Sequence, residues 1–316
     1  MSRQVVRAAA AAALVGAVAL PMIRRRLRAR GVRPEAILAG TALAPLAAAV
    51  LWPRVRSRAA IVCALQMYAY VYAYKLPNDD EEALASRVHF DYPICADRLI
   101  GFGELPSVRL QRGLHPDGEF RAFEKVLVWA HWVWFATPHA SLAYLYFQDR
   151  PRFARAAVLT YAVFDTGVIA YWLAPTAPPW YASERGRLSG GETSVRRLMV
   201  EYGERFWGKR WAPLYSVFGG NPLAAMPSLH FATSTMAAMA LAESGAEAGA
   251  VGWAYAGVLG FALVHLGEHY AVDLLGGLAL TLAVRRAERV ARGPVIAAGA
   301  LIERLSRVAN GLPAGG

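Results

Sequence analysis

The chain has 316 residues, 56% of them hydrophobic and only 18% charged, with a formal net charge of +11. A mean hydropathy of +0.29 belongs to a protein seated in lipid and excludes an ordinary soluble enzyme. The arginines behind the positive charge gather at the ends of apolar runs and in loops, as topology signals and lipid-headgroup contacts do, so membrane lipids are expected partners and nucleic acid is not.

In chain order, apolar runs long enough to cross a hydrocarbon layer about 30 Å thick occupy residues 8–23, 34–52, 59–75, 126–147, 154–174, 229–241, 249–266 and 270–284. Seven or eight transmembrane helices are predicted, the first being the weakest because its basic, Ala-rich start also suits a signal sequence or an interfacial segment. Residues 1–57 form an N-terminal hydrophobic hairpin, 58–285 a six-helix catalytic membrane domain, and 286–316 a basic C-terminal tail. Cys63 and Cys95 form no disulfide framework.

Two long loops interrupt the spans. The first carries the acidic run Asp79, Asp80, Glu81 and Glu82, which reads as a solvated turn. The stretch ADRLIGFGELPSVRLQ, from Ala96 to Gln111, follows it and suits a short element along the membrane interface. Within it Arg98, beside Asp97, is either half of a surface pair or a substrate contact. The second loop opens with PTAPPWY and closes with GGNPLAAMPS, proline-rich ends that stop helices and leave and re-enter the membrane on one side. Arg150, Arg152 and Arg155 lie on the same side as Arg285, Arg286, Arg289 and Arg292, and that side is expected to be cytoplasmic. Arg24, Arg25, Arg26, Arg28 and Arg30 conflict with this orientation if residues 8–23 cross fully.

Ionisable side chains at span ends are expensive and signal function. His230 falls in AMPSLH, where Pro227 and Ser228 suit the start of a helix, so an anion there would meet unpaired backbone N–H groups. In the stretch HLGEHYAVD, His269 and Asp273 stand four apart, one helical turn, close enough for the carboxylate to bond the imidazole. His265, Glu268 and His269 also spell H-x-x-E-H, the inverted zinc-peptidase signature. Glu288 and Glu303 are the only later carboxylates that could complete it, and both lie in the arginine-rich tail, while AMPSLH and PTAPPW stay unexplained. His265 reads as structural, lying a full turn inside its span, and Trp129, Trp132 and Trp134 as an interfacial aromatic belt.

PTAPPW, AMPSLH and GEHYAVD, in this order, resemble the type 2 phosphatidic acid phosphatase superfamily over about residues 60–285. The closest branch is similar to inositol phosphorylceramide synthases and their bacterial relatives, which ADRLIGFGELPSVRLQ also resembles. The resemblance implies an all-α integral membrane protein: a six-helix transmembrane core of phosphatidic acid phosphatase type plus one or two N-terminal hydrophobic helices. It implies an enzyme that hydrolyses or transfers lipid phosphates through a phosphohistidine, with no metal and no other cofactor. His269 would be the nucleophile, Asp273 its orienting carboxylate, and His230 the acid that protonates the leaving alkoxide and then activates water or an alcohol. A plain phosphatase of prenyl or glycerolipid phosphates is the alternative; a zinc peptidase or a non-enzymatic membrane protein lies outside the class. The chain departs from the family pattern where Ala262 and Leu263 replace the usual Ser-Arg, and where the Lys-x6-Arg-Pro motif is missing. The phosphate contacts are therefore sought in Arg185, Arg187, Ser228 and Arg98. The expected location is the plasma membrane, multi-pass, with the active site outside the cytoplasm.

Overall fold

The computed structural model describes residues 2–79, 81–188, 194–218 and 221–313. Asp80, in the acidic run, lies outside them. Among the described residues the regular structure is helical, with two isolated bridges and no strand. The chain divides into two units, residues 1–79 with 286–316, and residues 80–285.

The first unit begins with α1 (Arg3–Ala29), capped where the Val5 N–H donates to Ser2 Oγ. The run at 34–52 becomes two helices, α2 (Pro34–Thr41) and α3 (Leu43–Leu51). Pro45 explains the break: it has no N–H to give the carbonyl four residues back, and Thr41 turns its hydroxyl onto the Ile37 carbonyl at 2.8 Å. The next helix, α4 (Arg56–Lys75), packs on α2 and α3, so the apolar run at 59–75, grouped by sequence with the catalytic domain, sits with the N-terminal helices. Beyond its end Asp79 accepts from Arg24 at 2.8 Å, with Arg28 at 3.7 Å.

The second unit opens with α5 (Glu81–Ala85), α6 (Asp91–Ile100) and α7 (Pro106–Leu114). The stretch from Ala96 to Gln111 thus forms a helix, a tight turn and a second helix, with Pro106 at the start of α7. The run at 126–147 forms α8 (Ala122–Val133) and α9 (Thr137–Gln148). Its interruption again has a proline cause. Pro138 cannot donate to the Trp134 carbonyl, and the turn tightens to bonds three residues apart, Trp134 to His131 and Thr137 to Trp134.

Then come α10 (Arg150–Leu173), α11 (Pro179–Glu184), α12 (Leu198–Trp207), α13 (Trp211–Phe218), α14 (Leu229–Ser244), α15 (Ala246–His265) and α16 (Ala271–Asn310). Helices α14 and α15 make the closest pair, since Gly249 and Gly252 face the backbone of Ala242 and Ala238 with no room for a larger side chain. Helix α10 packs along α14, and α8 along α15. The basic tail is helical, because α16 runs 40 residues without a break and continues through Pro294 to Asn310. Among the described residues, four stretches are long and apolar enough to cross a membrane: α1, α2 with α3, α10 and α15.

The connection from α10 to α14 is stitched at both ends. Thr176 donates its N–H to the Leu223 carbonyl at 2.9 Å and accepts from the Ala225 N–H at 3.2 Å, so PTAPPW and the segment 221–228 lie side by side. At the opposite end of the bundle Glu243 accepts from both Arg155, at 2.5 Å, and Arg285, at 2.6 Å. The start of α10, the end of α14 and position 285 of α16 therefore share one level.

Candidate active site

The site is assembled where three helix ends meet: the start of α14, the end of α15 and the start of α16. Ser228 caps α14, its hydroxyl accepting from the Phe231 N–H at 3.3 Å. Tyr171 of α10 fixes the approach to that helix by donating to the Pro227 carbonyl at 2.7 Å and accepting from the Leu229 N–H at 3.3 Å. The Ser228 N–H donates to the Asp273 carbonyl at 2.9 Å, tying α14 to α16. Three of the backbone donors available to an anion at this helix start thus serve the protein itself.

His230 in the first turn of α14 meets His269, Nδ1 to Nε2, at 3.1 Å. His269 Nδ1 meets Asp273 Oδ2 at 3.2 Å, and the same oxygen accepts from the Tyr270 N–H at 2.9 Å. The carboxylate has no proton to give, so His269 Nδ1 carries one and Nε2 keeps its lone pair for the His230 N–H. The resting arrangement is a single-file chain, His230 to His269 to Asp273. Asp273 is fully buried and His269 nearly so, while His230 keeps an accessible edge.

The loop between α15 and α16 is held from several directions. Gly267 turns the chain with φ of +78°, and a Cβ there would stand 2.5 Å from the Arg196 carbonyl. No other residue fits that turn. The Leu198 N–H donates to the Leu266 carbonyl at 3.2 Å, and the Trp180 N–H to that of Gly267 at 3.3 Å. Gln111 of α7 donates to the His265 and Arg196 carbonyls, both at 2.9 Å, and accepts from the Arg196 N–H at 2.9 Å. At the other end of the loop, Asp97 of α6 accepts from the Val272 N–H at 2.8 Å and so caps α16 from outside it. Gln111 and Asp97 bracket the segment that carries His269, a role that spacing alone did not reveal.

Arg197 is the cation that the sequence reading missed. It donates through Nε and Nη2 to the two oxygens of Glu268, at 2.9 and 3.0 Å, and lies over the Trp180 ring at 4.0 Å. Burial alone would raise the Glu268 carboxyl, but the Arg197 charge and its two bonds outweigh that and hold it below the usual range. The guanidinium is likewise held above its ordinary value, Glu268 overcoming the cost of burial. Its signal in sequence was one arginine of a pair in a loop rich in arginines.

The other predicted phosphate contacts, Arg185, Arg187, Ser228 and Arg98, have partners within the protein. Arg185 stacks over Tyr181 at 4.8 Å and Arg187 over Phe90 at 4.9 Å; both are exposed. Ser228 is fully buried and spends its hydroxyl on the cap. Arg98 is half-buried on α6, and its carbonyl accepts from the Gly103 N–H at 2.8 Å.

The three residues of H-x-x-E-H do not converge. His265 Nε2 meets Glu124 Oε1 at 3.0 Å, and the same oxygen meets His115 Nδ1 at 2.8 Å, in a buried cluster of its own. Glu268 turns to Arg197 and His269 to His230 and Asp273. Among the described residues, no group of three or more His, Cys, Asp and Glu side chains is placed to hold a metal ion. Trp134, expected in an interfacial belt, is buried instead: it packs its ring against His230, 4.0 Å between centroids, and donates to Thr233 Oγ1 at 2.9 Å.

No curated protein and no solved structure matches the chain. Residues 120–286, more than half of the chain and the whole of the His230, His269 and Asp273 constellation, match the model of the PAP2 superfamily. The chain therefore belongs to the PAP2 superfamily, as an all-α membrane protein of the lipid phosphatase type.

Proposed function

We propose that the protein removes or transfers a phosphoryl group of a membrane lipid through a phosphohistidine on His269, without a metal. The observation that carries this reading is the chain of bonds from His230 through His269 to Asp273. A phosphoryl group enters between the two rings and displaces their 3.1 Å contact, because in-line displacement needs nucleophile and acid on opposite sides of phosphorus. His269 Nε2 then bonds phosphorus as the bond to the lipid oxygen breaks, and His230 gives its proton to that oxygen. Asp273 stabilises the imidazolium through Nδ1–H. In the second half His230 takes a proton from the incoming water or alcohol, whose oxygen bonds phosphorus as the P–N bond breaks.

Inositol-phosphate transfer between lipids is the finer assignment, resting on the likeness of the Ala96–Gln111 stretch to the synthase branch. Hydrolysis of prenyl or glycerolipid phosphates is the simpler one. Both use a six-helix transmembrane core in the plasma membrane with the site facing outward. The decisive test is to trap the intermediate with radiolabelled lipid phosphate in chelator. Label that is acid-labile, lodged on His269 and absent from His269→Ala is expected. Turnover abolished by chelator, or label on another residue, sinks the reading.

A further inference from the structure

His131 of α8 is buried, 4% exposed, and stacks on His230 with ring centroids 5.0 Å apart and planes 26° from parallel. Neither of its ring nitrogens has a hydrogen-bond partner among the described residues. Its ring contact with His230, which meets His269 at 3.1 Å, places it inside the constellation. A histidine kept only for packing would be an odd choice, since a phenyl ring fills the same space without two buried polar atoms left unmade. An imidazole carries an N–H donor in either protonation state, so it is equipped to bind an oxygen anion whatever its charge.

The other donors near the nucleophile are largely spent. Arg197 is locked by two bonds to Glu268, the helix-start N–H groups of Ser228, Leu229 and Phe231 are occupied, and the usual Ser-Arg of the superfamily is Ala262 and Leu263 here. We infer that His131 is a substrate-binding residue that donates an imidazole N–H to a non-bridging oxygen of the phosphoryl group between His230 and His269. The inference deepens the proposed phosphotransfer reading and rests on it for the position of the phosphorus. The ligand chemistry is an anionic phosphoryl group with non-bridging oxygens, common to a lipid phosphate and to free inorganic phosphate.

The test is a phosphorus NMR titration of the full-length protein in detergent with inorganic phosphate, run on wild type, His131→Leu and His131→Gln. Loss of one charge-assisted donor should weaken binding about tenfold in the leucine variant, and the glutamine amide should recover most of it. Turnover is then compared on lipid phosphates with good and poor leaving groups. A phosphoryl-oxygen ligand loses the same factor on both, whereas a packing residue that merely displaced His230 would hurt the poor leaving group more. Unchanged phosphate binding in His131→Leu overturns the inference, as does leaving-group dependence, or a glutamine variant that melts like wild type but binds no better than leucine. Wild type that binds phosphate with this dependence on position 131 but turns over no lipid phosphate would keep the binding site and sink the phosphotransfer reading instead.

Discussion

At the scale of single residues, the resting site stores its chemistry in a tautomer. Asp273 holds the proton of His269 on Nδ1 and leaves Nε2 free, so Asp273→Asn keeps the shape and loses both the tautomer lock and the imidazolium partner. Turnover should fall about 10²- to 10⁴-fold in assays of purified protein, with a melting temperature close to wild type. A variant that melts early and retains activity per folded molecule would make Asp273 structural. His230→Ala has a different signature: with a good leaving group such as p-nitrophenolate it should still form phosphoenzyme and accumulate it, and with an alkoxide it should not. Equal loss on both substrates would remove the general-acid role. His230, His269 and Asp273 were legible because their bonds depend on helical spacing and on two helix starts, which local sequence encodes. Arg197, Gln111, Asp97 and His131 were not, because each reaches the site from a distant segment: Gln111 is 154 positions from the carbonyl it holds.

At the scale of elements, the site depends on how closely α16 approaches α14. A Cβ on Gly277 would stand 2.5 Å from the Ser228 carbonyl, backbone that cannot rotate away. Gly277→Ala should cost about 1–3 kcal/mol in thermal or denaturant unfolding, and should lower turnover by spreading His230 from Asp273. An alanine variant with native stability and rate would show that the two helices have slack. The cap on α16 adds a dependence on pH. Burial raises the Asp97 carboxyl to about 6, a larger effect than the lowering by the Val272 and Ala271 N–H groups. The folded chain then binds this proton more tightly than the unfolded one, so stability from this group is complete below about pH 4 and is lost as pH rises through about 6. The displacement corresponds to about 3 kcal/mol, and Asp97→Asn should flatten that part of the melting-temperature profile between pH 4 and 7. An unchanged profile would mean that the carboxyl is solvated. Apolar runs announced most helices, but not the breaks near Ala42 and at residues 134–136, where the i−4 bond missing at a proline outweighs hydropathy. The basic tail stays helical as far as Asn310, because its alanines and leucines sustain the helix through the arginines.

At the scale of the whole molecule, the remaining question is which leaflet supplies the substrate. Helix α14 carries His230 in its first turn and Glu243 at its far end, a rise of ~20 Å over 13 residues. Glu243 gathers Arg155 and Arg285, so these arginines mark the face opposite the histidines. Basic residues near short loops stay in the cytoplasm, which predicts Arg152 inside and the histidines outside. The opposing signal from Arg24 to Arg30 is weakened where Arg24 and Arg28 reach Asp79. Single cysteines at Arg152 and Glu184, in a background with Cys63 and Cys95 changed to alanine, separate the two orientations. Glu184 is exposed at the end of α11, whose Trp180 N–H bonds the Gly267 carbonyl beside the site. In intact cells an impermeant thiol reagent should label position 184 and spare position 152 until the membrane is opened. Labelling at 152 with protection at 184 would invert the molecule, and the lipid phosphate would then have to come from the cytoplasmic leaflet.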